Sequence, residues 1–167
     1  MEHREPEDVN PEPAVAESDS KRTKKRKAPA RSFAMECVSE PKEIGKIETF
    51  LLKVNETAKL DDGTFYRLLV ATTEAVNNGI SHGNRSDRTK KVCVRCELTR
   101  DSVIVRVRDE GRGFDPSRVP NPLDEKNLFK EHGRGIFLIR SMMDRVKFRI
   151  SRKGTTVEMV LDLSLLK

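Results

Sequence analysis

Large apolar side chains are nearly absent from the first thirty-two residues and become periodic after Phe33. Ile44, Ile47, Leu51, Val54 and Ala58 recur at three- and four-residue intervals, which predicts a surface helix over 41–60, ended by Asp61-Asp62-Gly63. Phe65, Leu68, Leu69, Thr72, Val76 and Ile80 form one stripe at about 100° per residue, so a second helix is expected over 64–82 with Gly83 closing it. Glu74 and Asn78 fall one turn apart on nearly the opposite side of that helix. Val92, Val94, Cys96 and Leu98 alternate with polar residues, as do Val103, Val105 and Val107, and Arg100-Asp101-Ser102 between them reads as a hairpin turn.

The strand-like VIVRVR is followed by DEGRGFD at 109–115 and then by PSRVPNPLDEKNLFKEH, which has three prolines and no period. An irregular connection of that length inside a compact domain is usually a lid or binding loop, here placed at about 115–132. Gly133-Arg134-Gly135 opens a third helix with Ile136, Ile139 and Met143 on one face. Val146, Phe148 and Ile150 and then Val157, Met159, Leu161 and Leu163 alternate, joined by Arg152-Lys153-Gly154-Thr155. Helices interspersed with antiparallel runs predict an α+β fold, a two-layer α/β sandwich with a mixed, mostly antiparallel sheet and its helices on one face.

Composition divides the chain into two parts. Of 167 residues, 36% are charged, and no apolar run approaches the roughly 20 residues a bilayer requires. The acidic start lacks a basic-then-apolar leader, so a cytoplasmic location and no membrane contact are expected. Residues 1–20 carry seven acidic groups to one basic, and 21–32, KRTKKRKAPARS, carry seven basic groups and no acidic one. A charged arm over 1–32 and one folded domain over 33–167 follow from that shift. The basic block could hold nucleic acid, but no aromatic residue interleaves its charges, and a solvated arm is the simpler reading. Cys37, Cys93 and Cys96 are too few for a zinc site or a disulfide framework, and Cys93 and Cys96 would face opposite sides of one strand.

Chemistry concentrates around the glycines. Gly111 and Gly113 at a strand end suggest main chain brought close to another molecule, since only glycine lacks the Cβ that would obstruct it. A buried Asp109 carboxylate would accept a hydrogen bond, as from the exocyclic amine of adenine. Main-chain N–H groups at Gly133 and Gly135 would open a helix where phosphate oxygens bind well, and Arg134 adds a charged donor. Asn78 offers a hard oxygen of the kind Mg²⁺ accepts, and Glu74 could orient or deprotonate a hydroxyl. His82 is read as a cation at a helix end and His132 as surface of the loop.

Taken together, EAVNN (74–78), DEGRGFD (109–115), GRGIFLIRSMMD (133–144) and KGTTV (153–157) resemble the nucleotide-binding boxes of the gyrase, histidine kinase and mismatch-repair ATPase superfamily, with its Bergerat fold. GRGIFLIRSMMD with the proline-rich loop is most similar to the anti-sigma-factor serine/threonine kinases. The resemblance covers residues 33–167. It implies ATP and Mg²⁺ as cofactors, Asn78 on the metal, Glu74 as general base, and Thr155 near the adenine edge with Thr156 as its alternative. It also implies a sigma factor and a small antagonist protein as partners, phosphorylation of a serine on that antagonist, and a homodimer. The competing expectation is a regulator in which ATP only gates protein binding, without chemistry.

Overall fold

The computed structural model describes residues 31–112 and 134–166. Five strands, β1 (Arg31–Val38), β2 (Lys91–Leu98), β3 (Ser102–Arg108), β4 (Arg145–Ser151) and β5 (Gly154–Asp162), form one sheet in the order β1-β2-β3-β5-β4. Every pairing is antiparallel, so among the described residues the sheet has no parallel pair and is simpler than the mixed sheet expected. Three helices, α1 (Gly45–Ala58), α2 (Asp62–Asn78) and α3 (Arg134–Met142), cover one face of it. No helix among the described residues is long and apolar enough to cross a membrane.

Alternation decides which face is covered. Val92, Val94 and Cys96 of β2, Val103, Val105 and Val107 of β3, and Val157, Met159 and Leu161 of β5 are all buried. They meet Ile47, Leu51 and Val54 of α1, Leu68 and Val76 of α2 and Ile139 of α3 in one core. Each such side chain removed from water contributes about 1.5–3 kcal/mol, so the period-2 and period-3.6 patterns together select this layering. The intervening strand residues face away from the helices.

The boundaries differ from expectation at four places. β1 was not anticipated: Phe33, Met35 and Cys37 alternate, but they follow the charged arm directly and Glu36 breaks the apolar run. The first helix opens with a 3-10 turn, Pro41–Ile44, and ends at Lys59, which sits at φ 53 in the left-handed region. Asp61 does not terminate α1 but starts α2, accepting from the Thr64 N–H at 3.0 Å. Beyond Asn78 the chain continues through a π-helical turn, Gly79–Gly83, closed by the Asn84 N–H on the Gly79 carbonyl at 2.8 Å. Gly83 therefore is not a left-handed helix cap, and its reason for being glycine lies elsewhere.

Candidate functional site

Two clusters stand at the ends of α2 and α3. At the first, β3 delivers Asp109 into the interior, 5% exposed. Its Oδ1 accepts from the Gly111 N–H at 2.8 Å and the Thr155 N–H at 3.0 Å, while its own N–H donates to the Thr155 carbonyl at 3.0 Å. Among the described residues, both hydrogen bonds to this carboxyl go to Oδ1. Main chain closes tightly around it: a Cβ at Gly83 would stand 2.5 Å from Asp109 Cγ, and one at Gly154 would stand 1.9 Å from the Asp109 carbonyl oxygen. Gly154 also holds φ +126, a conformation L side chains rarely adopt. The close approach at Gly111 is to the protein's own chain, with the Gly83 carbonyl oxygen 2.0 Å from where a Cβ would lie.

Asn84 fastens this corner to the sheet. It is 1% exposed, donates to Ser39 Oγ at 2.8 Å and to the Lys91 carbonyl at 2.9 Å, and accepts from the Glu110 N–H at 2.8 Å. Glu110 Oε2 in turn accepts from the Lys91 N–H at 2.8 Å. Neither Gly83 nor Asn84 was singled out from the sequence as a site residue. The usable signal was the HGN tripeptide, whose Gly and Asn suit an ordinary turn and so point to no one role. Thr155 is 1% exposed and its Oγ1 has no hydrogen-bond partner among the described residues, an unusual state for a buried hydroxyl. Thr156, its alternative, lies on the other face of β5, opposite Arg108 and Arg149.

At the second cluster, Glu74 and Asn78 are half-buried on the side of α2 that α3 approaches. A Cβ at Gly135 would stand 2.8 Å from Glu74 Oε2, 3.1 Å from Asn78 Nδ2 and 3.2 Å from Asn78 Oδ1. The carboxylate, the carboxamide and the first turn of α3 thus meet at one point, with only glycine leaving room between them. Arg134 is exposed at the start of α3. The far end of α3 is fastened to α2 by Arg67, whose Nε donates to the Met142 carbonyl at 2.9 Å and Nη2 to Asp144 Oδ1 at 2.8 Å. Asp144 Oδ2 accepts from the Asp162 N–H at 2.7 Å, tying the same pair to β5.

Gly113, Gly133, His132 and the connection at 115–132 lie outside the described residues. His82 is exposed in the π-helical turn. Cys96 is buried, which pushes its thiol up to about 12, and Cys93 faces the other side of β2, as the strand spacing required. Among the described residues no three His, Cys, Asp or Glu side chains are grouped to hold a metal ion.

The family model of the histidine kinase-like ATPase domain matches residues 37–161. An anti-sigma F factor of Oceanobacillus iheyensis is 32% identical over 139 residues, covering 80% of this chain and 92% of the relative. A serine-protein kinase, RsbW, of Bacillus licheniformis is 27% identical over 142 residues, covering 80% of this chain and 86% of its own. Among solved structures, the RsbU and RsbW domains of a Mycobacterium tuberculosis protein superpose with a TM-score of 0.59 at 16% identity, over 80% of this chain and 33% of that one. That last likeness concerns the fold alone.

Proposed function

The chain belongs to the histidine kinase-like ATPase family, among relatives that include anti-sigma factors and serine-protein kinases, and from that premise we propose that it is an ATP-dependent protein serine/threonine kinase that also acts as an anti-sigma factor. In this reading it binds a sigma factor and phosphorylates a serine of a small antagonist protein. The observation that carries the proposal is the meeting of Glu74, Asn78 and Gly135 at one point, on the same helix-covered layer as the Asp109 corner.

The residues present fit ATP and Mg²⁺. Thr155 Oγ1 is a buried hydroxyl without a partner among the described residues, beside the Asp109 carboxyl, and Gly135 leaves a space that any Cβ would fill. Asp109 would accept from the adenine amine, which selects adenine over guanine because guanine carries no donor there. Thr155, Gly111 and Gly113 would line the base, and the N–H groups of Gly133, Arg134 and Gly135 would receive phosphate oxygens at the start of α3. Asn78 would hold Mg²⁺ through its amide oxygen. When bound, the nucleotide supplies the phosphoryl group and the metal offsets its charge, so the protein's task is mostly positioning. Glu74, one turn from Asn78, would hold the attacking serine hydroxyl and take its proton.

A homodimer is part of this reading. Among the described residues β1 is a sheet edge, and between it and α1 lies a groove of about 700 Å³ lined by Phe33, Met35, Phe50, Lys46 and Lys53 among others. An unpaired edge beside partly apolar surface is the kind of feature a second copy would cover.

The test is transfer of labelled γ-phosphate to candidate antagonist proteins. The wild-type chain should label a serine; Glu74→Ala should lose the transfer while keeping ATP-dependent thermal stabilisation, and Asp109→Asn should lose the stabilisation itself. Undiminished labelling by Glu74→Ala would remove that residue from the chemistry.

A further inference from the structure

The pairing of β2 with β3 stops just before the Asp109 corner. Its register ends with Cys93 opposite Arg108, and carried on it would set Val92 opposite Asp109 and Lys91 opposite Glu110. On the other side the same stretch still pairs as a strand does, the Asp109 N–H donating to the Thr155 carbonyl at 3.0 Å. Between Lys91 and Glu110 a side chain intervenes. Asn84 Nδ2 donates to the Lys91 carbonyl at 2.9 Å, and Asn84 Oδ1 accepts from the Glu110 N–H at 2.8 Å. The Lys91 N–H in turn donates to Glu110 Oε2 at 2.8 Å. Asn84, Lys91 and Glu110 thus close a ring of hydrogen bonds in which two side chains take the place of main-chain pairing.

The ring is selective about what stands at 84. The Lys91 carbonyl needs a donor and the Glu110 N–H an acceptor, and a carboxamide supplies both from one planar group. Its second N–H goes to Ser39 Oγ at 2.8 Å, and that hydroxyl donates onward to the Lys90 carbonyl at 3.0 Å. An aspartate of the same shape would lose both donors and turn an oxygen towards the Lys91 carbonyl. At 1% exposure, water does not make good that loss.

The turn that ends in Asn84 also forms the wall behind Asp109. A Cβ at Gly79 would stand 3.5 Å from Asp109 Cβ, and one at Gly83 would stand 2.5 Å from Asp109 Cγ. The Asn84–Glu110 bond therefore ties that wall to the residue next after Asp109, and the carboxyl is held between them. We propose that Asn84 is a positioning residue for base recognition: without touching the nucleotide, it fixes the direction of the Asp109 carboxyl and thereby the preference for adenine over guanine. This rests on the reading of Asp109 as the acceptor for the adenine amine. Adenine offers a donor at that edge where guanine offers an acceptor, so a carboxylate held in line favours the first and rejects the second. Slack in the ring weakens the one contact and relieves the other.

The experiment is competition of ATP and of GTP, each with Mg²⁺, against a fluorescent adenine nucleotide on the full chain, read as the ratio of the two Kd values. The ratio is a property of folded molecules, so a loss of stability alone does not move it. Glu110→Ala opens the ring at an exposed side chain and should lower the ratio about threefold, and Glu110→Gln, which keeps an acceptor for the Lys91 N–H, should restore it. Asn84→Asp should lower the ratio about tenfold or more and raise KM for ATP, with kcat within about twofold because Glu74, Asn78 and Gly135 form the other cluster. Where Asn84→Asp does not fold, the two Glu110 variants decide. A ratio that Glu110→Ala leaves unmoved, or that Glu110→Gln does not restore, overturns the proposal. A parent chain that binds ATP and GTP alike overturns the adenine reading along with it, whereas a parent and variants that all discriminate equally overturn the role of Asn84 alone.

Discussion

The two clusters of the candidate site are built from different materials. Around Asp109 nearly every contact is main chain: N–H groups of Gly111 and Thr155, the carbonyls of Gly83 and Asp109, and glycines whose missing Cβ atoms would lie 1.9–2.5 Å from a neighbour. Around Glu74 the contacts are side-chain ends, and the one glycine, Gly135, would meet them at 2.8–3.2 Å. A corner made of backbone, which the proposed function assigns to the base, has no rotamers to lose and keeps one shape. A cluster made of a glutamate, an amide and the first turn of a short helix, which the same proposal assigns to phosphoryl transfer, could adjust when a phosphate chain arrives. The comparison implies that changes at the first cluster damage folding and binding together, whereas changes at the second damage rate alone.

Gly154→Ala should give the largest effect. It combines strain at φ +126 with a clash against the Asp109 carbonyl, neither of which a side chain can relieve. A loss of about 4 kcal/mol is expected, lowering the melting temperature by about 10 °C or more. ATP-dependent stabilisation, about 2.7 kcal/mol at a ligand concentration a hundred times Kd, should disappear with it. A variant that melts near wild type and still responds to ATP would show the corner to be softer than its contacts suggest.

This contrast also explains what could be read in advance. The helices and four strands were legible because their faces repeat with clean periods, as at Leu68, Val76 and Ile80 or at Val103, Val105 and Val107. That Glu74 and Asn78 share one side of α2 was legible from helical spacing, whereas their roles came only as what the resemblance implies. Gly83 and Asn84 were not, because their roles depend on Asp109 and Glu110 arriving from β3, twenty-six residues later in the case of Asn84 and Glu110. β1 escaped because a strand of mixed polarity at a sheet edge has only one buried side and a charged approach. The π-helical turn was invisible for a related reason: it ends at Gly83, and no apolar position follows Ile80 within it to reveal a shifted spacing.

Gly135→Ala tests the softer cluster. An added Cβ would meet the ends of Glu74 and Asn78, which can swing aside, and alanine favours a helix over glycine by up to about 1 kcal/mol. Stability should therefore change by less than about 1 kcal/mol in either direction. Phosphoryl transfer should nonetheless fall about tenfold or more, because the displaced carboxylate no longer faces the reacting hydroxyl. Calorimetric unfolding and single-turnover labelling of the same preparation separate the two quantities, and a parallel loss of both would erase the distinction between the clusters.

The smallest effect belongs to Arg67, which touches neither cluster. Its two hydrogen bonds hold the end of α3 at Met142 and Asp144, while the other end of α3 carries Gly135 to Glu74 and Asn78 on the same helix as Arg67. The pair thus sets how far α3 is advanced along α2. Arg67→Met should cost about 1 kcal/mol, since the ion pair is partly exposed and its carbonyl partner can turn to water. Because the Asp109 corner is fastened separately through Asn84, KM for ATP should stay within about twofold while kcat drops about threefold to fivefold, a barrier change of less than about 1 kcal/mol. Arg67→Lys keeps one charged donor and should recover part of kcat. A rise in KM equal to the fall in kcat would mean that the two ends of the site move as one body, and the division between a fixed base corner and an adjustable transfer point would have to be abandoned.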